Sequence, residues 1–435
     1  MQIPRFISLL KIFIFANTAF FVGCGGGSSG NSPTSTASTL QPSFSSINPL
    51  PVIYLETEAN ATIQREDYTN GTVQVYGQGI VDSMPEVTMK IRGRGHSTWN
   101  IHPKKPYQMK LSDSSVFLGM PKKKTWLFMA EYSDKTMLRN RLAMELGYLS
   151  NLDWTAKSHY ADVVLNNVPI GTYRISEKNQ EGSNRVDIGD NGFLLEVDYA
   201  GHNRLDVAED IYFETNQISI QNGNGAGNVI QVKEPDLDQG DPQLDFIRDH
   251  IIDFETALFS ANFTDPANGY LPYIDIDSFV DWFLINEIAK NQDAKAYSSI
   301  YLHYIPGQKI KMGPIWDFDL GFGNVDYDDP EYPQGWWVYY HWWIERLMQD
   351  PAFISKVKER FTYFKSKEQY LLSKIDEWSQ MLGKSVAKND DIWGTLGVYV
   401  WPNPVVFNTY NEEVAYLKSW LQDRLQWMDS AISQL

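Results

Sequence analysis

The chain has few of the residues from which disulfides and zinc sites are built. Its 435 residues include one cysteine, Cys24, and seven histidines. A single cysteine excludes an intramolecular disulfide and a zinc site made of cysteines. The histidines are scattered and show no His-Glu-x-x-His spacing, which excludes the zinc-protease motif. No sequence period of about 20 to 50 residues is present either, so the chain is not a repeat array.

Basic residues are also in deficit. Thirty-seven lysines and arginines stand against fifty-four acids, and the formal net charge is -17. Because a broad nucleic-acid footprint needs the opposite sign, we expect no nucleic-acid partner. A basic substrate or a metal-nucleotide complex suits this charge better. Apolar residues are abundant: 43% of the residues are hydrophobic and 14% aromatic, which is enough for a large core.

The first part of the chain predicts targeting rather than fold. Residues 1–23 join a basic start to an apolar run, which is typical of an export signal and too short for a spanning helix. A small residue before Cys24 resembles a bacterial lipobox, although Phe21 stands where leucine is usual; an ordinary signal peptide with a free thiol is the alternative. Residues 24–47 are rich in Gly, Ser and Thr and predict a flexible tether. We expect an exported protein of the bacterial cell envelope, lipid-anchored to the membrane through an acylated Cys24.

Residues 48–435 predict an α+β domain with two parts. The part over 48–235 alternates apolar and polar residues in short runs, which predicts a sheet with one helix near 137–146. The part over 236–435 has apolar residues at helical spacing, interrupted by two short strands within 294–324. Strands are predicted at 51–55, 71–76, 86–92, 106–111, 124–130, 158–165, 169–177 and 192–198, and later helices at 246–259, 277–290, 342–347, 354–364, 371–382 and 414–428. This order predicts a two-lobed arrangement.

Two acids mark the stretch where we place the chemistry. The segment Lys311–Asn324 holds Asp317 and Asp319 between apolar residues and ends in glycines. Acids two residues apart share one face of a strand. The segment Asn291-Gln-Asp293 lies close enough for a hairpin-like turn to bring a third acid to the same pocket. This set suits a divalent metal and a phosphate, although a solvated turn is the commoner role of an Asp-x-Asp pair.

Basic and aromatic segments add further candidates. The turn from Arg92 to Trp99 combines glycines with two arginines and precedes Lys105, a composition that can cradle phosphates or form a tight hairpin with solvated charges. Lys110 alternates with apolar residues on a strand and can point a cation into a cleft. The tryptophan-rich segment over 334–343 favours a core wedge over an exposed sugar-stacking face.

The order of these pieces resembles the CotH family, the spore-coat-H-type protein kinases, which have an atypical protein-kinase-like fold. The resemblance runs from about Pro51 to Leu435. The matching segments are Arg92-Gly-Arg-Gly-His-Ser-Thr-Trp, Lys105-Pro-Tyr-Gln-Met-Lys-Leu, Asp134-Lys-Thr-Met-Leu-Arg-Asn-Arg-Leu-Ala, Gly171-Thr-Tyr-Arg-Ile-Ser-Glu, Asp277-Ser-Phe-Val-Asp-Trp-Phe-Leu-Ile-Asn-Glu, Asn291-Gln-Asp and Pro314-Ile-Trp-Asp-Phe-Asp-Leu-Gly-Phe-Gly-Asn.

The resemblance implies roles for the acids. Asp293 corresponds to the catalytic-loop acid, which orients or deprotonates the acceptor hydroxyl. Asp317 corresponds to the metal-binding aspartate, and Asp319 is a candidate second ligand. Ser298 stands where the family often has asparagine, five residues after the catalytic acid. Because serine is a weaker metal ligand than an amide oxygen, this position disfavours binding of a second metal.

The resemblance also implies nucleotide contacts. Lys105 or Lys110 corresponds to the phosphate-contacting lysine, and Lys110 is preferred for its place on a strand. Arg92 is a further candidate, because it belongs to the glycine-rich turn whose composition can cradle phosphates. Glu177 lies where the chain leads into the connection between lobes, so its neighbourhood is a candidate contact for the base.

These expectations combine into one function and two rivals. We expect a lipid-anchored protein kinase that uses ATP with Mg²⁺, or Mn²⁺ as the alternative, to phosphorylate Ser or Thr of a protein substrate. The first rival is a non-catalytic surface protein that recognises a protein or a glycan through an aromatic-rich face. The second is a metal-dependent phosphohydrolase that uses Asp317 and Asp319.

Overall fold

The structure is a computed structural model that describes residues 50–198, 210–217 and 228–435. The predicted export signal, Cys24 and the predicted tether lie outside the described residues. All described strands, helices and core contacts belong to one compact unit over residues 42–435, so we expect this part to fold without the preceding residues. Among the described helices, none has the length and apolar character to cross a membrane.

Seven strands close into a barrel. They are β1 (Val52–Thr57), β2 (Thr69–Tyr76), β3 (Met84–Gly93), β4 (Tyr107–Phe117), β5 (Met120–Met129), β6 (Ser158–Leu165) and β7 (Val168–Glu177). The strand order is β1-β2-β3-β4-β5-β7-β6, and parallel pairing of β1 with β6 closes the barrel. Alternation along the strands fills the interior: Met109 and Leu111 are buried, whereas Lys110 between them faces outward.

A second, open sheet follows the barrel. Its strands are β8 (Phe193–Asp198), β9 (Tyr212–Glu214), β10 (Val229–Glu234), β11 (Ile300–Tyr304) and β12 (Lys311–Met312), paired antiparallel in the order β12-β11-β8-β10-β9. Strand β11 is buried along its whole length, so its two faces are both covered. Because β11 comes from the helix-rich part of the chain and β8 from the strand-rich part, this sheet joins the two parts.

Eight α-helices complete the described fold: α1 (Ser97–Ile101), α2 (Arg139–Tyr148), α3 (Pro242–Phe259), α4 (Ile276–Ala289), α5 (Trp342–Leu347), α6 (Pro351–Lys365), α7 (Glu368–Trp393) and α8 (Tyr410–Ser433). Aspartates cap three of them, and the side chain of Asp275 accepts from the backbone N–H of Ser278 at the start of α4. Thr409 and Glu412 form a capping box at α8. Helix α4 is almost wholly buried and lies at the centre of the main core.

The α+β prediction is confirmed, and each predicted strand or helix overlaps an observed one. The two-lobed kinase-like arrangement stays a prediction. The tryptophan-rich segment is part of the core: Trp342 and Trp343 are buried, and the indole N–H groups of both donate to Oε1 of Glu255, at 3.1 and 2.9 Å.

One local prediction is wrong. Asp317 and Asp319 do not lie on a strand, because β12 ends at Met312 and the residues after it adopt no regular structure. Pro314 has no backbone N–H to donate, so the ladder cannot continue through it. The two acids are brought together by an irregular segment instead.

Candidate active site

A polar cavity of about 510 Å³ is lined by residues of the barrel, the second sheet and the segment after β12. We call it the central cavity. Its charged lining residues are Arg65, Arg92, Arg94, Glu131, Lys178, Glu196, Asp198, Asp210, Lys233, Glu234, Asp293, Asp317 and Asp319. Because acids and bases are both numerous, this cavity suits a ligand that carries negative groups together with a metal cation.

The segment after β12 holds Asp317 in an unusual backbone conformation. Its φ is +62°, in the left-handed region that residues other than glycine rarely adopt. The next residue, Phe318, is buried, and its backbone N–H donates to Oδ1 of Asn140 on α2 at 2.9 Å. Ser299, also at φ +62°, donates its hydroxyl to Oδ2 of Asp317 at 3.4 Å. These contacts fix the carboxylate of Asp317 at the cavity wall, and strain of this kind is common at functional sites.

Asp317 and Asp319 interact directly. Burial raises the pKa of Asp319 well above its usual value, and the neighbouring charges of Asp317, Glu131 and Asp293 raise it further. A side-chain hydrogen bond with Asp317 acts in the same direction. Four carboxylates therefore crowd one wall of the cavity. A cation placed among them would relieve their repulsion.

Asp293 reaches this wall because α4 ends abruptly. Lys290 follows the helix with φ +47°, and its ammonium group donates to the carbonyl oxygens of Asp329, Tyr332 and Gln334 at 2.7, 2.9 and 2.5 Å. The chain then forms a short 3-10 turn that begins at Asp293. The buried end of α4 thus sets the position of this acid.

A buried network supports the acids from behind. Nε of Arg174 on β7 lies 2.5 Å from Oε1 of Glu131, and both side chains are buried. Glu131 also accepts, through Oε2, from the amide of Asn140 at 3.1 Å. Since the same Asn140 side chain accepts from Phe318, the network connects β7, α2 and the segment that carries Asp317.

Three cations line the cavity without a partner acid within ion-pair distance among the described residues: Arg92, Arg94 and Lys178. Burial lowers the pKa of Arg94, whereas the charges of Asp317 and Asp319 raise it, so this guanidinium lies near both acids. Burial also lowers the pKa of Lys178, and Lys233 adds to that shift. A phosphate group would supply the negative charge that these three cations lack.

A second cavity, also of about 510 Å³, meets the central cavity at Asp293 and Asp319. We call it the side cavity. Tyr327 and Trp401 lie in its wall with their rings stacked, 6.0 Å between centroids and 10° between planes. Its lining among the described residues has three carboxylates and no lysine or arginine. Ser97 and Thr98 at the start of α1, and His96 just before it, line both cavities.

The structure brings together five of the eight residues singled out in the sequence. Asp293, Asp317, Asp319 and Arg92 line the central cavity, and Ser298 lines the side cavity beside Asp293.

The other three lie elsewhere. The ammonium group of Lys105 donates to the carbonyl oxygens of Trp99 and His102 at 2.5 and 2.6 Å. Lys110 is exposed on the outer face of the barrel. Glu177 is buried beneath a separate cavity, in an ion pair with Arg185 at 2.5 Å.

Sequence reasoning missed Lys178, Asn179, Glu131 and Asn140. Lys178 and Asn179 directly follow Glu177, which the resemblance places at the lobe connection, and both line the central cavity. The side chain of Asn179 is buried at the central cavity, and neither its Oδ1 nor its Nδ2 has a hydrogen-bond partner among the described residues. No sequence pattern would have selected Glu131 or Asn140, because their roles arise from contacts across the fold.

The donor set fits a hard divalent cation held jointly with a ligand. Within the described residues, no group of three or more His, Cys, Asp or Glu side chains forms a ready-made metal site. Asp317 and Asp319 offer two crowded carboxylates, and Mg²⁺ is usually bound by one or two carboxylates together with substrate phosphates and water. The residues present therefore fit a metal-nucleotide complex better than a protein-only metal cage.

Fold and site together define an α+β protein whose central cavity has acidic and basic lining residues and shares Asp293 and Asp319 with the side cavity. The chain belongs to the CotH family: the sequence profile described as CotH kinase protein matches residues 91–428, most of the chain. A comparison with curated proteins finds no match.

Proposed function

We propose that this protein is a kinase that transfers the γ-phosphate of ATP to a Ser or Thr hydroxyl of a protein substrate. The observation that carries the proposal is the convergence of Asp293, Asp317 and Asp319 in the central cavity, whose lining also includes three cations without partner acids among the described residues. Phosphoryl transfer needs charge neutralisation and alignment rather than a covalent intermediate, and this arrangement supplies both.

In this proposal the three acids have different roles. Asp317 and Asp319 hold Mg²⁺, or Mn²⁺, which when bound neutralises charge on the phosphates. Asp293 faces the side cavity as well as the central cavity and accepts the hydrogen bond of the acceptor hydroxyl, aligning it with the phosphate. Ser298, beside Asp293 in the side cavity, contributes a hydroxyl contact on the acceptor side rather than a strong metal ligand.

The phosphate-contacting cations are reassigned. Arg94 and Lys178 line the central cavity and take the role that the resemblance gave to Lys105 or Lys110, while Arg92 stays among the cofactor contacts. Asn179 is the base contact in this scheme, because its unpaired amide offers one donor group and one acceptor to an adenine edge.

The direct test uses residues 42–435, labelled ATP and a mixture of Ser/Thr-containing proteins. We expect metal-dependent transfer, including self-phosphorylation, by the wild type and none by Asp317→Ala. Asp391→Ala, which removes an exposed acid of α7, is the matched control and should behave as the wild type. Equal transfer by Asp317→Ala would refute the assignment. If calorimetry detects no binding of Mg-ATP, the result would favour the non-catalytic surface protein. Release of phosphate from ATP in the absence of an acceptor would favour the phosphohydrolase.

We also propose export and lipid anchoring through Cys24. The support is the sequence of residues 1–24 alone. Expressed in a bacterium, the full chain should fractionate with membranes and carry a lipid on Cys24 detectable by mass spectrometry. Cys24→Ser should lose both properties, and unchanged membrane fractionation without lipid would refute the anchor.

A further inference from the structure

Lys110 lies at a different cavity, on the outer face of the barrel. This cavity has a volume of about 520 Å³, and we call it the lysine cavity. It is lined by Asn70, Gly71, Thr88, Met89, Lys90, Lys110, Leu111, Ser112 and Lys124. Three of these residues are lysines, and none of those described is acidic. None of the nine lines the central or the side cavity, so a ligand bound here would be independent of the proposed kinase activity.

The positions of the three lysines lower the stability of the fold rather than raise it. Lys90 on β3 and Lys110 on β4 are direct cross-strand partners, an arrangement in which like charges repel. No lysine of the cavity forms an ion pair with a described carboxylate. In a chain with fifty-four acids and a net charge of -17, this absence of acids is a local feature that the fold itself does not require.

The positive surface extends beyond the cavity. The ammonium group of Lys90 and the guanidinium of Arg92 both lie over the ring of Tyr68, at 4.7 and 4.8 Å from its centroid. This ring holds the two cations on the same face of β3. The hydroxyls of Thr88 and Ser112 lie 2.6 Å apart in the cavity lining and provide neutral hydrogen-bonding groups between the charges.

We propose that the lysine cavity binds a phosphate-bearing anion. Three ammonium groups, the amide of Asn70 and two hydroxyls give it the donors that phosphate oxygens accept from, and its volume admits a diphosphate or a lipid headgroup. The same chemistry is presented by the headgroups of an anionic phospholipid and by a soluble inorganic polyphosphate. In either case, binding removes the repulsion between Lys90 and Lys110.

The test compares two triple variants of residues 42–435. The site variant carries Lys90→Gln, Lys110→Gln and Lys124→Gln. The control variant carries Lys309→Gln, Lys358→Gln and Lys384→Gln, three lysines outside the barrel without ion pairs among the described residues, so the change in net charge is the same. Binding is measured by calorimetry with inorganic pyrophosphate in the absence of divalent cations, and by sedimentation with phosphatidylglycerol and phosphatidylcholine vesicles.

We expect the site variant to bind at least tenfold more weakly than the wild type in one of these assays, and the control variant to bind as the wild type. If the wild type binds phosphatidylglycerol but not phosphatidylcholine vesicles and the site variant loses only this vesicle binding, the ligand is a lipid headgroup. Loss of pyrophosphate binding identifies a soluble anion. Equal weakening in both variants, or wild-type binding by the site variant in both assays, would overturn the proposal. Thermal unfolding of each variant checks that it is folded.

Discussion

Asp317 and Asp319 lower the stability of the fold at the central cavity in order to hold two carboxylates there. Asp317 sits in a left-handed conformation beside Asp319, so the fold bears both backbone strain and the repulsion of two close acids at this point. The guanidinium of Arg94 lies near both acids but forms no ion pair with either of them. Such a combination is typical of positions kept for binding rather than for stability.

Replacing Asp317 by asparagine should therefore stabilise the protein while it removes a proposed metal ligand. Asparagine tolerates the left-handed region and carries no charge, so we expect the free energy of unfolding in EDTA to rise by about 1 kcal/mol. Mg-ATP binding, measured by calorimetry, should be lost. A variant that is less stable than the wild type in EDTA would contradict this account of the acid pair.

Lys104 offers a test of buried charge away from the cavities. Its ammonium group donates to the carbonyl oxygen of Thr172 and, at 2.9 Å, to Oδ1 of Asn389, and burial lowers its pKa to about 7 from 10.5. Between these values the unfolded chain binds a proton that the folded protein does not. Stability must then rise with pH from about 7 towards 10, by up to about 1.4 kcal/mol per pH unit.

The variant Lys104→Met should lack this slope. Urea unfolding at pH 7, 8 and 9 should show the stability of the wild type increasing relative to that of the variant. A difference between the two proteins that stays constant over this range would show that Lys104 is charged in both states.

At the scale of elements, α2 and the segment after β12 depend on each other through one side chain. Asn140 accepts from the backbone of Phe318 and donates to Glu131, so it satisfies a buried N–H and a buried carboxylate together. Asn140→Ala leaves both without that partner, and we expect a loss of about 2–3 kcal/mol in urea denaturation.

The matched control is Asn184→Ala, whose amide makes an exposed hydrogen bond to the carbonyl of Lys122 and should cost no more than about 0.5 kcal/mol. Nucleotide affinity should fall only in Asn140→Ala, because only that change releases the segment carrying Asp317. If the two variants lose equal stability, the network does not support the segment.

Elements differ in how far the sequence predicts them. The strands of the barrel and helices such as α4 and α8 follow from alternation, helical spacing and caps, which are local properties. Strand β9, three residues long, carries too little pattern to be recognised, and closure of the barrel by β1 against β6 joins residues more than a hundred positions apart. For the same reason a motif is enough to find the acids, whereas Arg94, Lys178 and Asn179 become functional candidates only through the cavity they share.

At the scale of the whole molecule, the last helix is tied to the centre by a buried ion pair. The guanidinium of Arg424 on α8 lies 2.5 Å from Oε1 of Glu287 on α4, and both side chains are fully buried. Glu287 also accepts from the backbone N–H groups of Trp337 and Tyr339 at 2.9 and 2.7 Å. One carboxylate thus joins α4, α8 and the tryptophan-rich segment.

Arg424→Met should destabilise the protein by about 3–5 kcal/mol, because it leaves the charge of Glu287 buried without its cation. Lys418→Met, which breaks a partly exposed pair with Asp376 elsewhere on α8, should cost about 0–1 kcal/mol. Chemical denaturation measures both. A cost below about 1 kcal/mol for Arg424→Met would mean that the C-terminal helix is held by apolar packing alone.

The contact between the central and side cavities has a kinetic consequence. Asp293 and Asp319 are shared by both cavities, as are the first two residues of α1, a helix of five residues. Two molecules can thus contact the same carboxylates from different cavities. If the protein is the kinase proposed above, with Mg-ATP in the central cavity and the acceptor in the side cavity, we expect no obligatory order of binding: steady-state velocities should follow a random-order scheme, with each ligand able to associate and leave while the other remains in place.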